Sequence, residues 1–288
     1  MFQSVNTSSA SAARTIAVTG GRSGIGAATT ARLRSDGHRV ITVGRRECDV
    51  IADLSTPTGR QEAVAAVGDV CDGVLDGLVC CAGISASSTG EVGHEGRVIS
   101  TNFFGASELL FGLQPMLAAA PEPAAVVVSS WTQFRPWPLD SAVTACLEGA
   151  EELAVQLVES DPRRATLRPA NSTAKIALAM LVRRLAPTAE WAGSNISLNA
   201  TVPSITTTPM TAARLATPEG AEALRKHAPS PLGRFASADE QADLIAFFAS
   251  GRGRFITGQV ICVDGGLDAL LRPEVPVQPL AGDRWPST

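Results

Sequence analysis

The segment Thr19-Gly20-Gly21-Arg22-Ser23-Gly24-Ile25-Gly26 constrains the fold of this chain more than any other. It follows a short β-branched apolar run, TIAVT, and opens a stretch of helical character over residues 25–33. In a strand–turn–helix unit each glycine has its own task. Gly20 permits the tight turn, Gly24 lets the backbone approach a pyrophosphate, and Gly26 lets the helix pack close to the strand. The free amides and positive dipole of the helix N-terminus then face the anion. Arg22 or Ser23 could add a second phosphate contact.

Further apolar runs at 39–43, 50–52, 78–81, 124–129, 195–200 and 259–263 read as strands. Helical patterns lie between them at 59–67, 98–113, 171–185, 219–226 and 239–249. Continuous apolar strands alternating with helices predict a parallel sheet covered on both faces. The expected fold is α/β: one Rossmann-type domain over 14–270, with a doubly wound, seven-stranded parallel sheet. Residues 1–13 read as a flexible extension and 271–288 as a proline-bearing tail on the surface. The stretch from about 131 to 170 is an insert. Val143, Leu147, Ala150, Ala154 and Leu157 recur there at helical spacing and predict an amphipathic helix. That helix could cover the active site, form a subunit contact or pack on its own domain.

At 288 residues and 45% hydrophobic, the chain can build a large core. A net charge of −4 argues against nucleic acid or an anionic membrane as partner. No apolar run approaches the roughly 18–20 residues of a membrane span, and the first thirteen residues lack the basic start and apolar core of a secretory signal. A cytoplasmic location is expected. The six cysteines form no C-x-x-C and no metal-like pairing with the three histidines, so they read as small buried hydrophobes and no metal site is expected. Two counts are unusual. Only Lys175 and Lys226 are lysines among 24 basic residues, and there is no tyrosine.

The second strand ends Val43-Gly44-Arg45-Arg46, with no carboxylate until Glu47. A carboxylate here would hold the ribose hydroxyls of NAD(H). Arg45 suits the extra 2′-phosphate of NADP(H) instead, or is simply a solvated residue at a strand end. NADP(H) is therefore expected over NAD(H). Asp53 and Leu54, after the third strand, could flank the adenine.

From about Arg14 to Leu270 the chain resembles the short-chain dehydrogenase/reductase family. The glycine turn matches the family's T-G-x-x-x-G-x-G pattern, Cys81-Ala82-Gly83 matches the end of its N-N-A-G turn, and Asp264-Gly265-Gly266 matches its last-strand signature. Asn102, Ser130 and Lys175 match its catalytic asparagine, serine and lysine. The spacing from Ser130 to Asn171 and the segments IADLST and DGLV look like the bacterial 3α-hydroxysteroid dehydrogenase/carbonyl reductase subgroup. The resemblance implies that Pro203, Ser204 and Thr206 lie beside the nicotinamide, although Ser204 stands where the family usually has glycine. It also implies a homo-oligomer, and the insert favours a dimer.

The family's Y-x-x-x-K motif departs from pattern here: it reads Asn171-Ser172-Thr173-Ala174-Lys175. In the family the phenol protonates the carbonyl oxygen, the lysine lowers its pKa and holds the ribose, the serine polarises the carbonyl, and the asparagine anchors a relay water. Asn171 has no titratable proton in the useful range and cannot be a general acid. Ser130 and Asn171 could still bind a substrate, and Asp140, Glu148, Glu151 or Glu152 could supply a proton or form a solvated face. Trp131 and Trp137 could stack on a flat ring or simply pack. Three functions remain open. One is an NADP(H)-dependent reductase of a small molecule with a C=N, conjugated C=C or carbonyl group, in specialised metabolism. The second is a non-redox cyclase, dehydratase, isomerase or lyase. The third is a non-catalytic NADP(H)- or ligand-binding regulator.

Overall fold

Seven strands pair in parallel: β1 (Thr15–Thr19), β2 (Arg39–Gly44), β3 (Val50–Ile51), β4 (Gly77–Cys80), β5 (Ala124–Val128), β6 (Ser197–Pro203) and β7 (Val260–Val263). Their order in the sheet is β3-β2-β1-β4-β5-β6-β7. This is the expected doubly wound α/β architecture. The computed structural model describes residues 13–85, 94–135, 139–165 and 169–275. Nearly all of the expected N-terminal extension, most of the tail, and Trp137 lie outside the described residues.

Alternate strand residues feed two cores, as a pleated strand dictates. Ile16 and Val18 of β1, Val79 of β4 and Val126 of β5 pack with Ile245 and Phe248 of the helix Ala238–Ala249. Ala17, Ile41, Leu78 and Val127 point the other way, toward Leu109 and Leu113 of the helix Gly105–Ala118 and Leu178 of the helix Pro169–Leu185. In chain order the helices are α1 (Gly24–Ser35), α2 (Pro57–Val70), α3 (Glu95–Ile99), α4 (Gly105–Ala118), α5 (Asp140–Leu147), α6 (Glu151–Ser160), α7 (Pro169–Leu185), α8 (Pro209–Leu215), α9 (Pro218–His227), α10 (Ala238–Ala249) and α11 (Leu267–Leu271). Among the described residues, no helix is long and apolar enough to cross a membrane.

The insert differs from its sequence reading. Its helical periodicity is real, but the chain forms two helices, α5 and α6, rather than one. Gly149 takes φ +76° between them, a left-handed turn that ends α5. Ala142, Val143 and Cys146 of α5 and Ala154 and Val158 of α6 are buried in the main core. The insert therefore packs on its own domain. Glu151 does not join a solvated face: with Glu108 of α4 it grips the buried guanidinium of Arg60 on α2, where Arg60 Nε donates to Glu108 Oε2 at 2.7 Å and Arg60 Nη1 to Glu151 Oε1 at 3.3 Å. Asp140, Glu148 and Glu152 are exposed. The sequence reading also missed α8, whose Pro209 belongs to the first turn of a helix rather than to a loop.

Candidate active site

Ligands of doubly wound sheets bind where the strand order reverses, beyond the carboxyl ends of the strands. Here that point lies between β1 and β4, and a cleft of about 260 Å³ opens beside it. Gly20 and Gly24 take φ +69° and +50°, so both turns use conformations that side chains disfavour. A Cβ on Gly26 would sit 2.3 Å from Gly20 O, so only glycine lets α1 start this close to the turn. The first bond within α1 runs from Ala27 N–H to Ser23 O at 3.1 Å. Gly20 N–H donates to Val43 O at 2.8 Å and Ser23 N–H to Gly20 O at 3.4 Å, whereas the Gly24, Ile25 and Gly26 amides of the first helical turn have no intrahelical acceptor and face a ligand. Ser23, the N-cap, is extended and makes no capping bond with its hydroxyl.

Arg22, Ser23, Arg45, Asp53 and Leu54 all line the cleft, with Ala82 and Gly83. Arg45 is exposed at its rim. Arg22 reaches Glu47 at 2.8 Å, and Arg97 reaches Asp53 at 3.2 Å. Arg97, absent from the sequence reading, adds another positive group to the cleft wall. Cys81 and Ile25, expected at the nucleotide site, do not line the cleft. Their side chains pack against the core, and the Cys81 and Ala82 amides donate to Thr19 Oγ1 at 3.0 and 2.9 Å.

The inner end of the cleft meets the second group of residues. A Cβ on Gly83 would lie 3.3 Å from Asn102 Oδ1 and 3.9 Å from Lys175 Nζ. Asn102 sits on a π-helical turn, Ser100–Phe104, an irregularity typical of functional sites. Its Oδ1 accepts from Ile84 N–H at 2.8 Å, and its Nδ2 donates to Ile84 O at 2.9 Å and to Asn171 Oδ1 at 3.0 Å. Asn171 Nδ2 in turn donates to Thr132 Oγ1 at 3.1 Å. Ser130 Oγ accepts from Thr132 N–H at 3.3 Å.

Lys175 lies one helical turn beyond Asn171 on α7. Its ammonium is buried and donates to Val128 O at 2.7 Å. Burial pulls its pKa down to about 8, against the opposing influence of the Cys81 and Cys80 thiols. Ser129 Oγ lies 2.9 Å from Lys175 O and 2.8 Å from Gln133 Oε1, which fixes α7 to the end of β5.

Three expectations change in detail. Trp131 is buried against Ala228 and Leu267, with His227 edge-on at 5.5 Å and the Arg135 guanidinium 5.2 Å from its ring, so it is not an open stacking face. The Thr206 hydroxyl turns inward to Ser204 O at 3.0 Å. Ser204 lines a second, smaller cavity of about 110 Å³, and it is Thr208 that approaches the glycine turn, 3.3 Å from where a Gly24 Cβ would lie. Pro203 closes β6 beside it. Besides Arg97 and Thr208, sequence reasoning missed Thr132. Its only signal was its place two residues after Ser130.

The residues present fit a dinucleotide. The glycine turn follows a course that a Cβ at Gly20 or Gly26 would bar, the cleft wall is rich in arginine, and a buried cation stands at the inner end. Comparison with known proteins agrees. The family model for short chain dehydrogenases matches residues 14–160, and that for enoyl-(acyl carrier protein) reductases matches residues 163–268. The chain is 36% identical over 258 residues to the 3-alpha-hydroxysteroid dehydrogenase/carbonyl reductase of Comamonas testosteroni, covering 90% of this chain and 98% of that one. The 3-alpha-hydroxysteroid dehydrogenase of Pseudomonas sp. B-0831, solved with NADH, is 42% identical with a TM-score of 0.82, over 91% of this chain and 99% of that one. The Pseudomonas aeruginosa RhlG/NADP complex is 26% identical with a TM-score of 0.67, over 89% and 97%. The chain belongs to the short-chain dehydrogenase/reductase family, a family of oxidoreductases.

Proposed function

We propose that this protein is an NADP(H)-dependent reductase that accepts a small organic substrate without help from a tyrosine acid. The observation that carries this reading is the pairing of an arginine-lined nucleotide cleft with an Asn171 held between Asn102 and Thr132. The relative solved with NADH makes NAD(H) the competing dinucleotide. Arg45, with no carboxylate from Val43 to Arg46, favours the 2′-phosphate of NADP(H).

In this reading the glycine turn and the N-terminus of α1 hold the pyrophosphate, Arg45 and Arg22 the 2′-phosphate, and Lys175 the ribose. When bound, the reduced nicotinamide supplies a hydride. Ser130 donates a hydrogen bond to the substrate, and Asn102 and Asn171 keep the inner wall rigid and polar. Asn171 has no proton to give, which favours acceptors that can take hydride without an acid at that position, such as a conjugated C=C or a C=N bond.

The test is a titration of the protein with NADPH and with NADH, followed by nicotinamide fluorescence and repeated with Arg45→Ala. The expected result is tighter binding of NADPH, weakened at least about tenfold by the substitution, with NADH little changed. Equal or tighter NADH binding would overturn the NADP(H) assignment. Turnover with no net NADPH oxidation would replace a redox role with a non-redox one.

A further inference from the structure

We propose that Thr132 joins Ser130 in a two-hydroxyl cradle for the oxygen of a conjugated, α,β-unsaturated carbonyl substrate. This rests on the reductase reading above and narrows it to one substrate class.

The hydrogen-bond directions carry the inference. Ser130 Oγ accepts from Thr132 N–H, and Thr132 Oγ1 accepts from Asn171 Nδ2. Each hydroxyl therefore has a protein donor on one lone pair. Among the described residues, neither O–H has an acceptor. Both side chains are partly exposed, whereas neighbouring Ser129 is buried and its single proton is taken up by the acceptors Lys175 O and Gln133 Oε1 that share it. Two free donors, two residues apart on a tight turn, suit one oxygen that gains negative charge. Asn171 is then a positioning residue: its amide keeps Thr132's own proton directed away from the protein.

The electrostatics select the substrate. Among the described residues that form this corner (Asn102, Ser130, Thr132, Asn171 and Lys175), none is a carboxylate and Lys175 is a buried cation. That sign disfavours a cationic iminium and favours a group that becomes anionic. An aliphatic hydroxyl is too weak an acid to protonate an alkoxide, so an isolated ketone is poorly served. An enolate is far less basic and needs only hydrogen bonds. Hydride from a reduced nicotinamide dinucleotide adds at the β-carbon, and that donor is oxidised by two electrons. The C=C pair moves to form the enolate, whose charge rests on the cradled oxygen. A water proton then adds at the α-carbon and the C=O is restored.

The test uses the NADP⁺-loaded protein and 4-nitrophenol, whose anion mimics an enolate and is seen by its visible absorption. The wild type should bind the anion and lower the apparent pKa of the phenol. Thr132→Val should weaken anion binding about tenfold or more, as expected for a lost hydrogen bond to a charged oxygen, while Thr132→Ser, which keeps the acceptor for Asn171 Nδ2, retains anion binding and melts with the wild type. With NADPH, 2-cyclohexenone should be reduced at least ~100-fold faster than cyclohexanone. Thr132→Val binding within twofold of wild type, or a preference for the saturated ketone, overturns the cradle. Thr132-dependent nitrophenolate binding by a protein that binds neither dinucleotide would support the cradle and remove the reductase reading. Arg45-dependent NADPH binding without a Thr132 effect would do the reverse.

Discussion

Asn102 and Asn171, 69 positions apart in the chain, share a side-chain hydrogen bond of 3.0 Å at the inner end of the cleft. Asn171 is thus an integrated part of the wall rather than a gap left by a lost group. Asn171→Tyr would place a phenol one turn before Lys175. Reduction of a simple ketone by NADPH should then rise by about 100-fold or more, the range of general-acid help. An unchanged rate would show that the missing phenol does not limit that reaction.

Lys175 gives a pH dependence whose sign is fixed. Its folded pKa, about 8, lies below that of an unfolded lysine. Between those values the unfolded chain binds more protons, so stability rises as pH climbs through that window. Below pH 8 the full cost of burying the charge applies, roughly 3 kcal/mol. Lys175→Met should therefore melt higher than wild type at pH 7, and the gain should shrink above pH 8. Melting curves at a series of pH values check this; a gain independent of pH would contradict the buried charge.

Arg22 and Glu47 pair at 2.8 Å with both side chains largely exposed, so the pair itself adds little stability. Its effect falls on the ligand, because Glu47 competes for an arginine that faces the phosphate turn. Glu47→Gln should tighten NADPH binding by roughly two- to fivefold at low salt, with a smaller gain at high salt. Titration at two ionic strengths measures it.

Arg60 is fully buried between carboxylates from two different helices. Arg60→Ala leaves Glu151 and Glu108 without their shared cation and opens a cavity. A loss of about 3 kcal/mol is expected, together with faster hydrogen exchange in α6. Denaturant unfolding and exchange mass spectrometry would report the two effects separately.

The sheet was legible because its strands are continuous apolar runs and its first turn has glycine at each position that bars a Cβ. The break in the insert was not, because the apolar spacing from Val143 to Leu157 continues in phase across Gly149. Nor was the partner of Glu151: a carboxylate on a helix reads as solvated unless a buried arginine far away in sequence, here Arg60, is brought to it. Trp131 was ambiguous for the same reason, since Ala228 and Leu267 are about 100 residues or more distant. In the site, the resemblance to the family's motifs located Asn102, Ser130, Asn171 and Lys175. Thr132 stayed hidden because a threonine after a strand has no distinctive spacing, and only the direction of the Asn171 amide distinguishes it.

The clamp of Ser129 on α7 and the bond from Lys175 to Val128 hold that helix to β5 without using the side chain at position 171. Architecture and chemistry are therefore separable at this corner. Tyrosine and asparagine codons differ only in their first base, so one nucleotide change can exchange an acid for an amide there while the helix keeps its seat. On the reading proposed above, a scaffold wired in this way would change the reaction it performs in one mutational step, and would change it back.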